Sequence, residues 1–278
     1  MVSVAQKREA ARYLVSRYSI SERRACGMVR ISRSVHRYQC RRPPDDALRR
    51  HIREIAETRL RYGFQRIHIL LRRHGMKINH KRVHRLYRLE GLQLRAKRPR
   101  RHVSAAARVA THQSPIAPNQ AWSMDFMAAT TANGGKFRIL TVLDMFTRQA
   151  LAIEVGRWLR GDDVVRVLNR LVLQRPAPRS MHCDNGSEFT GRLLDLWAYH
   201  QGVELCFSRP GKPTDNALIE SFNGRFRDEC LNTHWFTSLE EAQHESELWR
   251  QDYNENRPHM GLKGLTPNEY AKAHAEEA

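Results

Sequence analysis

The chain has 278 residues, of which 41% are hydrophobic, and a formal net charge of +19. This length and apolar share favour about two folded domains over a disordered chain. No run approaches the ~18 apolar residues of a membrane span, and the first residues lack a signal peptide's apolar core, so we expect a cytoplasmic protein. Five widely spaced cysteines without a Cys-x-x-Cys pattern indicate reduced thiols rather than a disulfide framework or zinc site.

The positive charge is concentrated in the first part of the chain. Residues 1–118 contain 30 Lys and Arg against 7 Asp and Glu, whereas the remainder is slightly acidic. This asymmetry predicts a polyanion-binding region joined to a nearly neutral body. Nucleic acid is the polyanion we favour, because neutralised phosphates release counterions and so strengthen binding. The alternative is a solvated basic surface without a partner.

Residues 1–42 show the pattern of a helix-turn-helix module. Helical spacing covers residues 6–17, Ser21 begins a second helix, and Ser32 caps a third. Three short helices with a basic third one favour a recognition helix in the DNA major groove, although such trios also occur in other settings. Arg33 and Arg37 on the third helix are the candidate DNA contacts.

Residues 43–94 predict a second helix-turn-helix-like module. Its helices are expected at 47–60, 63–74 and 80–90. Its histidines raise the possibility of a zinc site like that of retroviral integrases, but that site also needs a close cysteine pair, and none is nearby. We therefore interpret them as surface or core histidines.

Residues 95–118 are basic and then rich in Ala, Ser and Pro, without apolar periodicity, which predicts a basic linker. The run 97–101 also matches a nuclear-targeting signal, although phosphate contact is the simpler interpretation.

From residue 119 the pattern changes to strands. We predict strands at 122–128, 137–146, 149–155, 180–183 and 203–208, and helices at 162–175, 191–200, 215–230 and 239–253. A three-strand meander followed by two helix-linked parallel strands predicts a ribonuclease H-like, five-stranded mixed sheet flanked by helices. The whole chain is then of mixed α+β class, with all-α modules before a catalytic domain at 119–278.

Three acids are the candidate catalytic residues. Asp125 lies on the first predicted strand, Asp184 ends the fourth, and Glu220 follows on the last core helix after 35 intervening residues. Polar groups at strand ends of such sheets meet at one edge, where ligands bind. Three carboxylates packed without cations would repel one another, whereas around divalent ions they are suitable hard ligands. Two Mg²⁺ ions held there would promote in-line displacement at phosphorus.

The motifs HCDNGSEF, SRPGKPTDNALIESFNGRFRDE and YNENRPHMGL, together with the spacing of the three acids, resemble those of DDE transposases with a retroviral-integrase-like core. The closest resemblance is to the second-frame product of the insertion-sequence three family. It covers the catalytic half and extends to both helical modules. It implies that Asp125, Asp184 and Glu220 bind two Mg²⁺ (or Mn²⁺) ions, and that Arg227, seven positions after Glu220, contacts DNA phosphate.

The same resemblance implies the partners. They are double-stranded DNA, both as terminal inverted repeats of the element and as target, and further copies of the chain in a homo-oligomer on DNA. Family members often act as a fusion with an upstream frame that carries a leucine zipper, and no zipper-length heptad run occurs here. Localisation is expected to be cytoplasmic, at a bacterial nucleoid.

Several further residues have alternative interpretations. Asn185 shapes the turn after Asp184 or contacts DNA, and Lys212 lies in a loop where it is expected to meet DNA. Asp144 is a fourth site acid, or a strand-end or Arg148-paired aspartate, and Glu188 is a metal ligand or a first-turn helix acid. The segment 257–259 contacts DNA or the sheet edge.

The function expected from these features is DNA nicking and joining at element ends by two-metal phosphoryl transfer. One alternative is a DNA-binding regulator with an inert catalytic domain, which the intact acid triad disfavours. Another is a nuclease for RNA–DNA hybrids, which the basic helix-turn-helix modules disfavour.

Overall fold

The computed structural model describes residues 2–39, 45–94, 115–209 and 216–275. It divides into two compact units, with the boundary between Leu48 and Arg49. Within the described residues, no helix is both long and apolar enough to cross a membrane.

The first unit contains three short helices, as predicted. They are α1 (Val4–Tyr18), α2 (Glu22–Met28) and α3 (Arg33–Arg37). Each begins at a serine whose hydroxyl accepts a backbone N–H of the first turn, namely Ser3, Ser21 and Ser32. Such caps satisfy helix N–H groups that lack an intrahelical partner, which explains why these positions start the helices.

The second unit begins within the first helix of a helical module and continues with a sheet. The module helices are α4 (Asp46–Thr58), α5 (Phe64–Arg73) and α6 (His80–Leu89). Asn79 caps α6 through a bond from the Lys81 N–H, and Gly91 ends it with a φ of 70° that favours glycine.

The sheet has five strands in the order β3-β2-β1-β4-β5. The strands are β1 (Ala121–Thr130), β2 (Lys136–Asp144), β3 (Ala150–Gly156), β4 (Ser180–Cys183) and β5 (Glu204–Phe207). β1 to β3 form an antiparallel meander, and β4 and β5 add to it in parallel. The predicted five-stranded mixed sheet of ribonuclease H-like, integrase-core type is thereby confirmed.

Helices cover both faces of the sheet. They are α7 (Gly161–Val172), α8 (Arg192–Gln201), α9 (Ala217–Phe226), α10 (Leu239–Glu255) and α11 (Pro267–Ala275), with a π-helical turn at Arg227–Leu231 and a 3-10 turn at Met260–Leu262. Leu140 and Val142 of β2 face one apolar core with α7 and α8, whereas Ile139 and Leu143 face the other with α9 and α10. The sequence analysis predicted no helix after the one at 239–253 and so missed α11.

The helical module packs against the C-terminal part of the second unit. The bonded pairs are Arg59 with Asp252, Arg66 with the Pro258 carbonyl, and Arg73 with Glu269. Beside them, the Arg257 guanidinium lies 5.2 Å from the centre of the Tyr62 ring. Module and sheet therefore belong to one compact unit.

Candidate active site

The register of the sheet brings two of the predicted acids to one edge. β1 and β4 run parallel, with Ser123 opposite His182. Asp125 comes two residues after Ser123, and Asp184 comes two residues after His182. Both acids therefore lie toward the carboxyl end of the parallel pair. Glu220 is in the first turn of α9, which packs on β1 and β2.

Hydrogen bonds fix the Asp125 side chain. Its Oδ1 accepts the Phe126 N–H at 2.8 Å, and its Oδ2 accepts Nδ2 of Asn223 at 2.8 Å. The amide oxygen of Asn223 in turn accepts the Thr141 hydroxyl at 2.9 Å. Thr141 pairs with Asp125 across the sheet, and both Thr141 and Asn223 are buried. The carboxylate is therefore held in one orientation by β2 and α9 together.

The electrostatics of Asp125 show that the three acids act on one another. The pKa of this carboxyl is raised from 3.8 to about 6, chiefly by burial, with the negative charges of Asp184 and Glu220 adding to the rise and the hydrogen bonds from Phe126 and Asn223 opposing it. Desolvation and like charges both disfavour the charged form of an acid. A cation at this position would offset both effects, so the donor set fits a divalent metal.

The three acids do not form a contracted cluster. Among the described residues, only Glu22, Cys26 and His36 have three potential ligand atoms all within 4.8 Å of one another. The ligand atoms of the triad carboxylates are therefore not all within 4.8 Å of one another. In the other cluster, Glu22 is held by the Arg37 guanidinium.

The turn after Asp184 is shaped by its own side chains. The Gly186 N–H donates to Oδ1 of Asp184 at 2.9 Å, and a β-carbon at position 186 would lie 3.0 Å from that oxygen. Nδ2 of Asn185 donates to the Ser208 carbonyl at 2.8 Å and so connects the turn to the end of β5. This matches the turn-shaping interpretation of Asn185.

Neither predicted role of Glu188 matches the structure. This residue lies before α8 and forms an ion pair with Arg138 of β2. The Arg138 bond lowers the pKa of Glu188. Its carboxylate is therefore occupied by a guanidinium.

Asp144 and Arg257 are structural residues. Asp144 is buried and accepts the backbone N–H groups of Asn119, Phe146 and Thr147, which closes the β2–β3 turn. Arg257 is buried and makes an ion pair with Glu229, so its guanidinium is not exposed for a contact with DNA. The sequence could not separate these roles because burial was not visible in it.

The candidate DNA contacts are in different situations. Arg227 is exposed, and its guanidinium lies 3.4 Å from the Ala128 carbonyl on the strand that carries Asp125. Arg33 is exposed on α3. Arg37 donates to both oxygens of Glu22, which raises the pKa of Arg37 and lowers that of Glu22. Lys212 and the run 97–101 lie outside the described residues.

Asn223 and Thr141 are site residues that the sequence analysis did not identify. Asn223 comes three positions after Glu220, which places both on one face of α9. The spacing was visible in the sequence. That Asn223 bonds Asp125 was not, because it depends on how α9 packs on the sheet.

Comparison with known proteins identifies the same regions. Family models described as "Integrase core domain" match residues 115–213 and 201–267, and one described as "HTH-like domain" matches residues 43–101. The "Insertion element IS407 uncharacterized 31.7 kDa protein" of Burkholderia multivorans is 46% identical over 265 residues, which is 94% of each chain. The "Putative transposase InsK for insertion sequence element IS150" of Escherichia coli is 28% identical over 77% of this chain and 78% of its own.

A solved structure supports the fold. The chain aligns with one in the simian T-cell lymphotropic virus intasome bound to PP2A regulatory subunit B56 gamma, with a TM-score of 0.51 and 11% identity. The alignment covers 79% of this chain and 73% of the other. At this identity the likeness concerns the fold alone.

Proposed function

Because the chain belongs to the insertion-element transposases, which carry an integrase core and helix-turn-helix domains, we propose that it nicks and joins DNA at the ends of its element. The chain is a transposase of the DDE polynucleotidyl transferase family. The observation that carries the proposal is Asp125, whose half-buried carboxyl has its pKa raised chiefly by burial and also by the charges of Asp184 and Glu220.

We assign metal binding to Asp125, Asp184 and Glu220. Two Mg²⁺ (or Mn²⁺) ions bound there would supply Lewis-acid stabilisation of a phosphodiester and a more acidic attacking hydroxyl. The residues of the chain supply orientation. Asn223 and Phe126 fix the two oxygens of Asp125, and Gly186 fixes one oxygen of Asp184. Preset ligand orientation of this kind typically strengthens metal binding 10- to 100-fold (order of magnitude).

DNA recognition is assigned to the basic first part of the chain. We assign helix-turn-helix modules to residues 1–42 and 43–94, a basic linker to 95–118 and catalysis to 119–278. Arg33, Arg37, Asn185, Lys212 and Arg227 are proposed DNA contacts. The proposed partners are terminal inverted repeats, target DNA, further copies of the chain and an upstream-frame fusion product, at the bacterial nucleoid.

The test uses Asp184→Asn with duplexes that carry the element's own terminal repeats. The variant should bind these duplexes like the wild type, because the change adds no bulk, but nicking and strand transfer in Mn²⁺ should be lost. Asp195→Asn on α8 is the matched control and should retain activity. Near-normal turnover by Asp184→Asn would remove this residue from the site.

The wild-type protein distinguishes the alternatives. Sequence-specific binding without any nicking in Mg²⁺ or Mn²⁺ would indicate a regulator with an inert catalytic domain. Faster cleavage of RNA–DNA hybrids than of duplex DNA would indicate a hybrid nuclease instead.

A further inference from the structure

A cavity of about 350 Å³ lies beside the turn that carries Asp184. It is lined by the β3–α7 loop and by that turn, through Arg138, Trp158, Leu159, Arg160, Gly161, Ser187 and Glu188. Its size is at the lower end of the range of about 300–1,000 Å³ for small-molecule sites. It is therefore large enough for one planar ring system.

Arg138 connects this cavity to the proposed metal ligands. Its guanidinium pairs with Glu188, donates to the Leu159 carbonyl at 3.4 Å, and lies 4.2 Å from the centre of the Phe126 ring. Phe126 follows Asp125 directly and stacks on Phe189 at 5.1 Å. The wall of the cavity is thus built on residues adjacent to Asp125 and Asp184.

Trp158 is the unusual residue of this wall. Its side chain is 74% exposed, although the next residue, Leu159, is buried in the core and contacts the β3 end at Gly156. Leu159 therefore anchors the loop while the indole remains in water. A large aromatic ring on an anchored loop offers a flat face on which another ring can stack.

The charges around Trp158 indicate the kind of ligand. Arg157 and Arg160 flank it, are exposed, and make no ion pair with another described residue. The one carboxylate lining the cavity, Glu188, is already paired with Arg138. An aromatic face next in sequence to guanidinium groups that have no ion pair among the described residues is a combination that binds bases and phosphates of single-stranded nucleic acid.

We propose that Trp158 stacks on an unpaired base of the DNA strand whose phosphodiester is placed at the acids, and that Arg160 contacts a phosphate of that strand. This inference rests on the proposed function, because it takes the strand from the nicking reaction. Stacking would hold the strand end open beside Asp184, since a base removed from its duplex needs a replacement surface. Stacking uses the π-face that every base has, so we expect this contact to accept any base at that position.

Photo-crosslinking tests the contact directly. The full chain is irradiated with terminal-repeat duplexes that end in a short single-stranded overhang containing 5-iododeoxyuridine, and the linked peptides are identified by mass spectrometry. A crosslink at Trp158 is expected, and it should be absent from Trp158→Ala. Trp235→Ala is the matched control, because Trp235 is 84% exposed but lies outside the cavity. A crosslink that persists in Trp158→Ala would overturn the proposal.

Binding of the same duplexes separates stacking from charge. Trp158→Ala should weaken binding roughly 5- to 150-fold, the range expected for one base–aromatic stack, without changing its salt dependence. Arg160→Ala should lower the salt slope by about 1. Equal binding by wild type and Trp158→Ala would refute the stack. If Trp158→Ala behaves like the wild type while Asp184→Asn is inactive, only this inference fails. If the wild type itself never nicks, the proposed function fails.

Discussion

Asp125→Asn should change how the stability of the catalytic region depends on pH. In the wild type, the pKa of this carboxyl is raised from 3.8 to about 6, chiefly by burial. The folded state therefore retains the proton more tightly than the unfolded state. Stability from this group is fully present below pH 3.8 and is lost as pH rises through about 6. The amide at position 125 carries no such dependence.

The expected size follows from the same numbers. The difference between 3.8 and about 6 corresponds to about 3 kcal/mol. Asp125 is partly exposed, so solvent screening reduces this to about 1–1.5 kcal/mol. Loss of one hydrogen bond in the variant adds a cost of about 1 kcal/mol that does not vary with pH. The comparison therefore uses the change in the free energy of unfolding between acid and neutral pH. As the pH rises, the wild type should lose about 1–1.5 kcal/mol of this free energy relative to the variant.

Urea unfolding between acid and neutral pH, followed by tryptophan fluorescence, measures this difference. All tryptophans lie in residues 119–278, so the signal reports unfolding of the second compact unit, which contains Asp125. Mg²⁺ should stabilise the wild type at neutral pH more than at acid pH, because the metal competes with the proton, and should stabilise the variant less. Parallel pH profiles of wild type and variant, with equal responses to Mg²⁺, would refute the reasoning.

Three other changes have defined outcomes. Asn223→Ala removes the donor to Asp125 and should raise the Mg²⁺ concentration for half-maximal nicking about 10-fold or more; an unchanged metal requirement would show that Asn223 does not position Asp125. Glu229→Gln leaves buried Arg257 without its counter-charge and should cost about 3–5 kcal/mol in urea unfolding, whereas exposed Glu255→Gln should cost little; equal midpoints would exclude a structural pair. Arg33→Ala should lower the salt slope of DNA binding by about 1, and an unchanged slope would mean that α3 faces away from DNA.

The sequence predicted the elements whose signals are local. Serine caps located α2 and α3, and alternating apolar residues located the strands of the sheet. The long-range contacts were not predictable. The sequence favours a first-turn helix acid for Glu188, but in the fold its carboxylate pairs with Arg138, fifty residues away in the chain. The role of Asn223 likewise depends on the packing of α9 against β1, which no local pattern encodes.

Three arginines of the helical module bond to the C-terminal part, so the net charge of the first part overstates the positive charge that is available to DNA. Arg59, Arg66 and Arg73 are bonded to protein groups of the C-terminal part. Some of the excess positive charge of the first part of the chain therefore holds the helical module in place and is not available to DNA phosphates. This attachment also sets a fixed offset between α6 and the acids. If α6 binds the terminal repeat, the fixed distance between α6 and the acids sets the number of base pairs between the bound sequence and the bond that is cut. Inserting half a helical turn of DNA between them would turn the cut bond away from the acids.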